Sequence, residues 1–440
     1  MKVSVILKEN KSDKYSIANE HCFYLDSIIT NPKDSKLKKS IVRHNIFNFL
    51  SSKENFKLCP NSLAIDFANI SMAAYAIDQA ANREKFGHYG WSRYIELNIP
   101  VYNLEKWNSS KQQFERTLSF LSGDKWILNF RKCKKPFPSF TISEFRTDKV
   151  CLFSGGMDSF IGISDIMSNK NSLATISHHK GGNSGELTTQ KELVNLLQNE
   201  VADKEILPYY FFVQARKNDV LLGERTQRAR SILFLSLALL VANSSSDNTE
   251  VIIPENGLIS LNLPLTPARG GSHSTKTTHP KYISSLNEIF EIVGINNRII
   301  NPYRFMTKGE MFAKTKMPKF VSENINKTLS CSKPGYYQQW KGEKERQCGH
   351  CVPCIIRRSS MYLINKDDAK NYVKNVIGSN HKYDDFNAFK IAIKRYSKKD
   401  KIRLAFQKSG YMDISEFEIR KYVNMYKRGL KEVRNFMNQS

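Results

Sequence analysis

Short apolar runs alternate with amphipathic segments between residues 150 and 301, and this alternation is the clearest structural signal in the chain. The short runs are typical of buried strands, while apolar residues spaced three and four apart are typical of helices. We predict strands at 150–153, 173–177, 209–213, 250–253 and 298–301, and helices at 158–167, 190–198, 230–242 and 282–293. Strands and helices that alternate in this way favour an α/β fold with a parallel sheet covered by helices on both faces.

The first 146 residues show a different pattern. An apolar helix is predicted at 63–81, and alternating apolar residues predict strands at 95–101 and 126–130. A basic segment with two prolines at 131–138 is typical of a linker, so we predict an amino-terminal α+β domain over 1–146. We place the α/β domain at 147–365 and a basic, helical carboxyl-terminal extension at 366–440.

Composition adds to this picture mainly through charge. With 67 Lys and Arg against 42 Asp and Glu, the 440-residue chain carries a formal net charge of +25. This balance favours a polyanionic ligand such as ATP, RNA, DNA or an acidic protein, or simply a basic soluble surface. Aromatic residues interleaved with Lys and Arg in the extension make nucleic acid a candidate partner. No apolar stretch is long enough to cross a membrane, and the first residues lack the apolar core of a signal peptide, so we expect a cytoplasmic protein.

Half of the eight cysteines form a metal-binding pattern. Cys331 precedes Cys348, Cys351 and Cys354 with the spacing C-x16-C-x2-C-x2-C. Thiolates at this spacing fit a tetrahedral Zn²⁺ site, and four protein ligands leave no open position, so we expect a structural ion. An iron–sulfur cluster also takes four thiolates, and a disulfide pair is a third interpretation. The remaining cysteines are scattered and are typical of ordinary reduced thiols.

The strongest candidate for catalytic chemistry is the sequence SGGMDS at 154–159, which follows the predicted strand at 150–153. Two glycines keep side chains out of the turn, so backbone N–H groups and the amino-terminal end of the next helix can surround a phosphate. The sequence is not a Walker loop, because no Lys follows the glycines. A glycine turn that merely precedes a buried helix is the simpler interpretation.

SGGMDS resembles the PP-loop of enzymes that split ATP into AMP and pyrophosphate. Together with CGHCVPCIIRR at 348–358, it resembles the QueC family, the 7-cyano-7-deazaguanine synthases. Further matches are QRARSILFLSLA at 227–238, and NP at 301–302 followed by TKGE at 307–310. This resemblance covers about residues 150 to 362. The amino-terminal region, with Asp78, Arg93 and Trp107, resembles QatC-type proteins, the QueC-like component of the Qat anti-phage defence systems of bacteria.

The resemblance implies a fold like that of the adenine nucleotide alpha hydrolases and an ATP-dependent, AMP-forming ligase. ATP would adenylate the carboxylate of a 7-deazaguanine, and an amine would then displace AMP. The phosphate-binding residues that it implies are Ser154, Gly155, Gly156, Met157, Asp158 and Ser159. Asp158 would also face Mg²⁺, and Lys308 and Arg230 are candidates for stabilising the phosphorus transition state. The expected cofactors are therefore ATP, Mg²⁺ and Zn²⁺.

The side that would bind the acceptor departs from QueC. A Tyr-Gly-Gln…His stretch of the family is replaced by SHHKGG at 177–182, and the segment that lines the base pocket is replaced by LTPARGGSHST at 265–275. The resemblance to the defence proteins implies that the amine is the amino terminus of a partner protein, and this is the function we expect. The alternatives are synthesis of 7-cyano-7-deazaguanine with ammonia for tRNA or DNA modification, a tRNA-thiolating enzyme, and a non-catalytic nucleotide-binding scaffold.

Overall fold

The described residues form two β-sheets. A computed structural model describes residues 2–10, 12–30, 40–51, 57–138, 140, 146–179, 181, 185–215, 223–224, 226–267, 276–332, 347–378 and 383–439. The strands are β1 (Lys2–Lys8), β2 (Cys22–Asp26), β3 (Val42–His44), β4 (Tyr94–Val101), β5 (Lys125–Lys132), β6 (Lys149–Leu152), β7 (Ser172–His179), β8 (Glu205–Ala215), β9 (Val251–Ile252) and β10 (Ile299–Ile300).

Helices connect and cover these strands. The α-helices of the described residues are α1 (Ile46–Ser51), α2 (Ser62–Ala80), α3 (Arg83–Phe86), α4 (Leu104–Ser122), α5 (Met157–Met167), α6 (Gly185–Glu200), α7 (Arg230–Ser245), α8 (Gly257–Leu261), α9 (Pro280–Val293), α10 (Lys308–Ala313), α11 (Pro318–Asn324), α12 (Val352–Tyr362), α13 (Asp384–Arg395), α14 (Lys399–Ser409) and α15 (Glu416–Met437). Short 3-10 helices cover Ile325–Lys327 and Ala369–Asn371. Each element predicted between 150 and 301 is present, with its ends displaced by a few residues.

The first sheet belongs to the amino-terminal region and has the strand order β2-β1-β4-β5. All three of its strand pairs are parallel. A parallel pair needs a crossover connection, and α4 supplies it between β4 and β5. This region is therefore α/β, and the predicted α+β arrangement is wrong. The alternating pattern of single strands does not reveal how they pair.

The second sheet has the order β10-β9-β6-β7-β8-β3. Its first five strands are parallel, as predicted. The sixth strand, β3, is the edge strand and pairs with β8 in the antiparallel direction, with Val42 opposite Ala215. Residues 42–44 thus add a strand from the amino-terminal region to the sheet formed mainly by residues 149–300. The protein is an α/β protein built on parallel sheets.

Helix α2 lies between the two parts of the molecule. It is buried along almost its whole length and packs against α7, β4 and β8. A mainly apolar helix that is buried on every side belongs inside a core rather than on a surface. Residues 1–146 and the second sheet therefore share one hydrophobic core. The domain boundaries near 146 and 365 remain predictions.

The carboxyl-terminal region is helical. Helices α13, α14 and α15 form a second apolar core, which also includes Leu258 of α8 and Ile355 of α12. The carboxyl-terminal helices thus pack against α8 and α12 through a buried apolar face, while their basic side chains point outward. Among the helices of the described residues, none is long and apolar enough to cross a membrane.

Candidate functional site

The SGGMDS segment forms the turn between β6 and α5, at the carboxyl end of the parallel strands. Gly155 adopts a φ of +81°, a left-handed conformation that favours glycine. A Cβ atom at Gly155 would also lie 3.3 Å from Gln190 Cγ. Ser154 Oγ accepts from the N–H of Gly156 at 3.3 Å, and Ser159 Oγ donates to the Gly156 carbonyl at 3.0 Å. The turn is therefore held by its own serines.

The first turn of α5 faces a cleft with donors that an anion can use. Gly156 is the N-cap and brings no side chain of its own. The first N–H groups of a helix have no carbonyl partner within the helix, and the helix dipole places partial positive charge at the same end. In open parallel sheets, ligands bind outside the carboxyl ends of the strands, where this turn lies. The arrangement can therefore hold a phosphate.

Asp158 and Lys308 form a buried ion pair at the start of α5. Lys308 Nζ donates to Asp158 Oδ1, and the Lys308 and Asp158 side chains are only 3% and 7% exposed. Asp158 Oδ2 accepts from the backbone N–H of Asn256 at 3.2 Å and from its side-chain amide at 2.7 Å. Burial alone would raise the pKa of Asp158, but the Lys308 charge and the hydrogen bonds hold it below its ordinary value.

Glu255 is a second carboxyl group beside Asp158, and it was not among the predicted site residues. Burial and then the neighbouring Asp158 charge raise the pKa of Glu255 well above its ordinary value. The two shifts have opposite directions, so Glu255 takes up a proton at a higher pH than Asp158 does. Asn256 also donates to Glu255 Oε1, at 3.3 Å. Glu255 comes shortly after β9, and this position is a sequence signal for a site residue, because ligands bind at the carboxyl ends of parallel strands.

Lys308 reaches this point because it is the first residue of α10. Thr307 and Glu310 form a reciprocal capping box, in which Thr307 Oγ1 accepts from the Glu310 N–H at 3.1 Å. Glu432 of α15 accepts from Thr307 Oγ1 and from the N–H of Gly309, the latter at 3.4 Å. The carboxyl-terminal region thus holds the turn that carries Lys308.

These groups line a cleft of about 230 Å³. The predicted residues in its wall are Ser154, Gly156, Met157, Asp158, Ser159, Arg230 and Lys308. Gly155, also part of the loop, is buried against Gln190 and does not line the cleft. Glu186, Glu255, Ser330 and Cys331 also line the cleft and were not expected there. The cleft thus holds both of the predicted basic groups and the predicted aspartate.

Arg230 is the first residue of α7. Its Nε lies 3.3 Å from His178 Nδ1, and its guanidinium lies 4.0 Å from the Glu186 carboxylate. The preceding residue, Ala229, donates its N–H to Asp78 Oδ2 at 2.9 Å. Asp78 comes from α2, so the amino-terminal region fixes the start of the helix that carries Arg230.

Asp78 also belongs to a buried ion network. Arg93 Nη2 donates to Asp78 Oδ1 and to Asp124 Oδ2, each at 2.6 Å, and Arg83 Nη2 contacts the same two carboxylates. Trp107 donates its ring N–H to Asp66 at 3.0 Å and is fully buried. The residues that carry the amino-terminal resemblance therefore include core residues with satisfied polar groups.

The four cysteines of the predicted metal site meet in space. Their sulfur atoms all lie within 4.8 Å of one another. Cys331 Sγ is 3.9 Å from Cys351 Sγ, and Cys348 Sγ is 3.8 Å from Cys354 Sγ. Thiolates bound tetrahedrally to one zinc ion at about 2.3 Å would be about 3.8 Å apart, whereas a disulfide bond measures about 2.0 Å. The donor set therefore fits a single metal ion such as zinc, and the disulfide interpretation is wrong.

The segment that leads to Cys331 touches the SGGMDS loop. The Leu329 N–H donates to the Gly155 carbonyl at 2.8 Å, and the Met157 N–H donates to Ser330 Oγ at 3.2 Å. Arg357 of α12 is buried and donates to Thr328 Oγ1 at 2.5 Å, which fixes the chain just before this contact. No sequence signal links Ser330 to the loop, because the two partners are 173 residues apart.

The segment expected to bind the acceptor is only partly described. Residues 268–275, 180 and 182 lie outside the described residues. His178, within the replaced stretch at 177–182, is buried with Nε2 lying 3.0 Å from the Val213 carbonyl.

Comparison with known proteins does not assign the chain to a family. No protein-family model matches it, and no curated protein matches it.

Proposed function

We propose that this protein is an ATP-dependent, AMP-forming ligase of the QueC-like type. The observation that carries the proposal is the glycine turn at the start of α5, which opens onto a cleft lined by Asp158, Lys308 and Arg230. The proposed substrate is a 7-deazaguanine that bears a carboxylate, because SGGMDS and CGHCVPCIIRR resemble the QueC family.

In the first step, a carboxylate oxygen of the substrate attacks the α-phosphorus of ATP. The bond from this phosphorus to the oxygen that bridges to the β-phosphate breaks, and pyrophosphate leaves with that oxygen. The N–H groups of Asp158 and Ser159 in the first turn of α5 and the helix dipole hold the pyrophosphate, while Lys308 and Arg230 offset the negative charge that develops at phosphorus. Asp158 orients Lys308, because it accepts the hydrogen bond of the ammonium group.

In the second step, an amine nitrogen attacks the acyl carbon of the adenylate. The bond between this carbon and the AMP oxygen breaks, AMP leaves, and the amine releases a proton as the amide forms. The proposed amine is the amino terminus of a partner protein of the same defence system. The resemblance of residues 1–146 to QatC-type proteins supports this choice over ammonia.

Two metal ions belong to the proposal. A divalent cation such as Mg²⁺ would screen phosphate charge when bound with ATP, and the Asp158 carboxylate at the cleft would offer it the anionic oxygen ligand that it prefers. The four cysteines would hold zinc as a structural ion, because all four ligand positions come from the protein.

The test is AMP formation from ATP and 7-carboxy-7-deazaguanine by the purified protein, followed by chromatography. Parallel reactions contain ammonia or a candidate partner protein, and the product mass identifies the amine. We expect AMP only when the deazaguanine acid is present, and an amide at the partner's amino terminus. A nitrile product would instead support synthesis of 7-cyano-7-deazaguanine. ATP binding without AMP in any reaction would contradict the ligase proposal and support a scaffold.

Matched lysine variants separate a role in catalysis from a general loss of charge. Lys308→Gln should lower the rate of AMP formation by about 10²–10³-fold, the usual cost of removing one donor to a transition-state oxyanion. Lys314→Gln removes the same charge from an exposed position near the end of the same helix and should leave the rate unchanged. Equal rates for the two variants would remove Lys308 from the mechanism.

A further inference from the structure

A groove larger than the nucleotide cleft lies in the carboxyl-terminal region. It has a volume of about 430 Å³ and runs between the end of α13, the start of α14 and the outer edge of α15. Ile393 and Leu430 give it an apolar floor. Its rim carries five cations, contributed by Lys399, Lys427, Arg428, Lys431 and Arg434, and none of the described residues that line it is acidic.

Four of these five cations have no acidic partner among the described residues. Lys399, Lys427, Lys431 and Arg434 are exposed, and Arg428 alone is paired, with Glu310 of α10. Lys427 and Lys431 are four residues apart, and Arg434 follows three residues later, so they share one face of α15. Like charges at this spacing destabilise a helix, so an anion that binds here would relieve repulsion.

The same helix pairs its charges elsewhere. In the first turn of α15, Glu416 accepts from Arg403 at 2.6 Å and from Arg420 at 3.4 Å. The acidic residues of α15 thus lie in its first turn or, in the case of Glu432, against α10, and the groove face has none. The absence of acidic residues is therefore specific to the groove rather than general to this basic region.

We propose that this groove binds the phosphodiester backbone of a nucleic-acid strand. Along the axis of α15, the rise from Lys427 to Lys431 is about 6 Å and the rise from Lys431 to Arg434 is about 4.5 Å. Cations thus repeat every few ångströms, as the phosphate charges do along a nucleic-acid strand. The formal charge of +25 would also steer a long polyanion toward the protein.

An acidic peptide fits the groove less well. Carboxylates are matched best by the two-pronged guanidinium group, and among the described lining residues Arg434 is the single unpaired arginine. The other unpaired groups are lysines, which act as compact point charges and contact phosphates without a fixed geometry. The proposal is independent of the proposed ligase activity.

The test measures the anisotropy of labelled single-stranded RNA and DNA oligonucleotides, with a duplex in parallel, at salt concentrations between about 50 and 200 mM. The variant is the triple change Lys427→Gln, Lys431→Gln and Arg434→Gln. We expect its affinity to fall at least tenfold at low salt. The slope of log affinity against log salt should fall by about 2, since each single-strand phosphate contact contributes about 0.7.

The matched control is Lys314→Gln, Lys316→Gln and Lys319→Gln, which removes three exposed charges from the turn between α10 and α11 and from the start of α11. This triple variant should keep nearly all of the affinity. An equal loss in both triple variants, or none in the groove variant, would overturn the proposal. Tighter binding of a labelled polyglutamate peptide, lost in the groove variant, would also overturn it and identify an acidic protein as the ligand. Thermal unfolding should show neither variant to be less stable than the parent, because every changed residue is exposed.

Discussion

If the four-cysteine cluster holds a metal ion, as proposed, removing that ion should loosen the SGGMDS loop. The loop is tied to the segment before Cys331 by two hydrogen bonds, from the Leu329 N–H to the Gly155 carbonyl and from the Met157 N–H to Ser330 Oγ. Each such bond contributes about 0.5–1.5 kcal/mol. Losing both would therefore cost about 1–3 kcal/mol, which is a factor of about 5–150 in the equilibrium for opening the loop.

Hydrogen exchange measured by mass spectrometry tests this prediction without nucleotide or substrate. Peptides that cover residues 153–160 should exchange faster, by up to this factor, after chelation. A peptide from β4, in the other sheet, should not change. Ser330→Ala leaves the four cysteines unchanged and removes the bond from Met157 together with a longer contact from Arg357 Nη1 at 3.5 Å, so it should accelerate exchange by a factor of about 2–12.

Two outcomes would refute this reasoning. One is unchanged loop exchange after metal analysis has shown complete removal of the ion. The other is unchanged loop exchange in Ser330→Ala. If chelation also exposes β4, the whole fold depends on the metal, and the Ser330→Ala result then decides, because that variant leaves the ion in place.

Three further variants test other parts of the structure. Asp78→Asn removes a carboxylate that neutralises the buried Arg83 and Arg93, so it should lower the free energy of unfolding by about 3–5 kcal/mol, measured by urea titration. The control Asp203→Asn, at an exposed position, should change this free energy little. Burial raises the pKa of Glu432 from 4.5 to about 7, so the folded state binds this proton more tightly and stability should fall as pH rises through that range. Glu432→Gln should flatten this decline, and an unchanged pH profile would contradict the assigned shift. Gly155→Ala should weaken ATP binding in calorimetry, because it strains the loop, while Gly378→Ala, at a similar φ of +68° with open space around it, should not.

Local features of this protein follow from the sequence alone. The strands and helices between 150 and 301 are readable because apolar spacing reports secondary structure within one segment. The glycine turn at 154–159 and the spacing of Cys348, Cys351 and Cys354 are equally local, since each depends on a few neighbouring residues. These features were enough to predict the parallel sheet and the cluster of four cysteines.

Tertiary structure decided how distant segments meet. The pairing of β3 with β8, and the parallel order of the first sheet, have no signature within the strands themselves. Glu432 meets Thr307 across 125 residues of sequence, and Asp78 meets Ala229 across 151. Such contacts arise when whole apolar faces pack together, and the polar groups at their edges then find partners that no local pattern specifies. For this reason the sequence identified the loop and the cysteines, whereas only the fold revealed Ser330 and Glu432 around them.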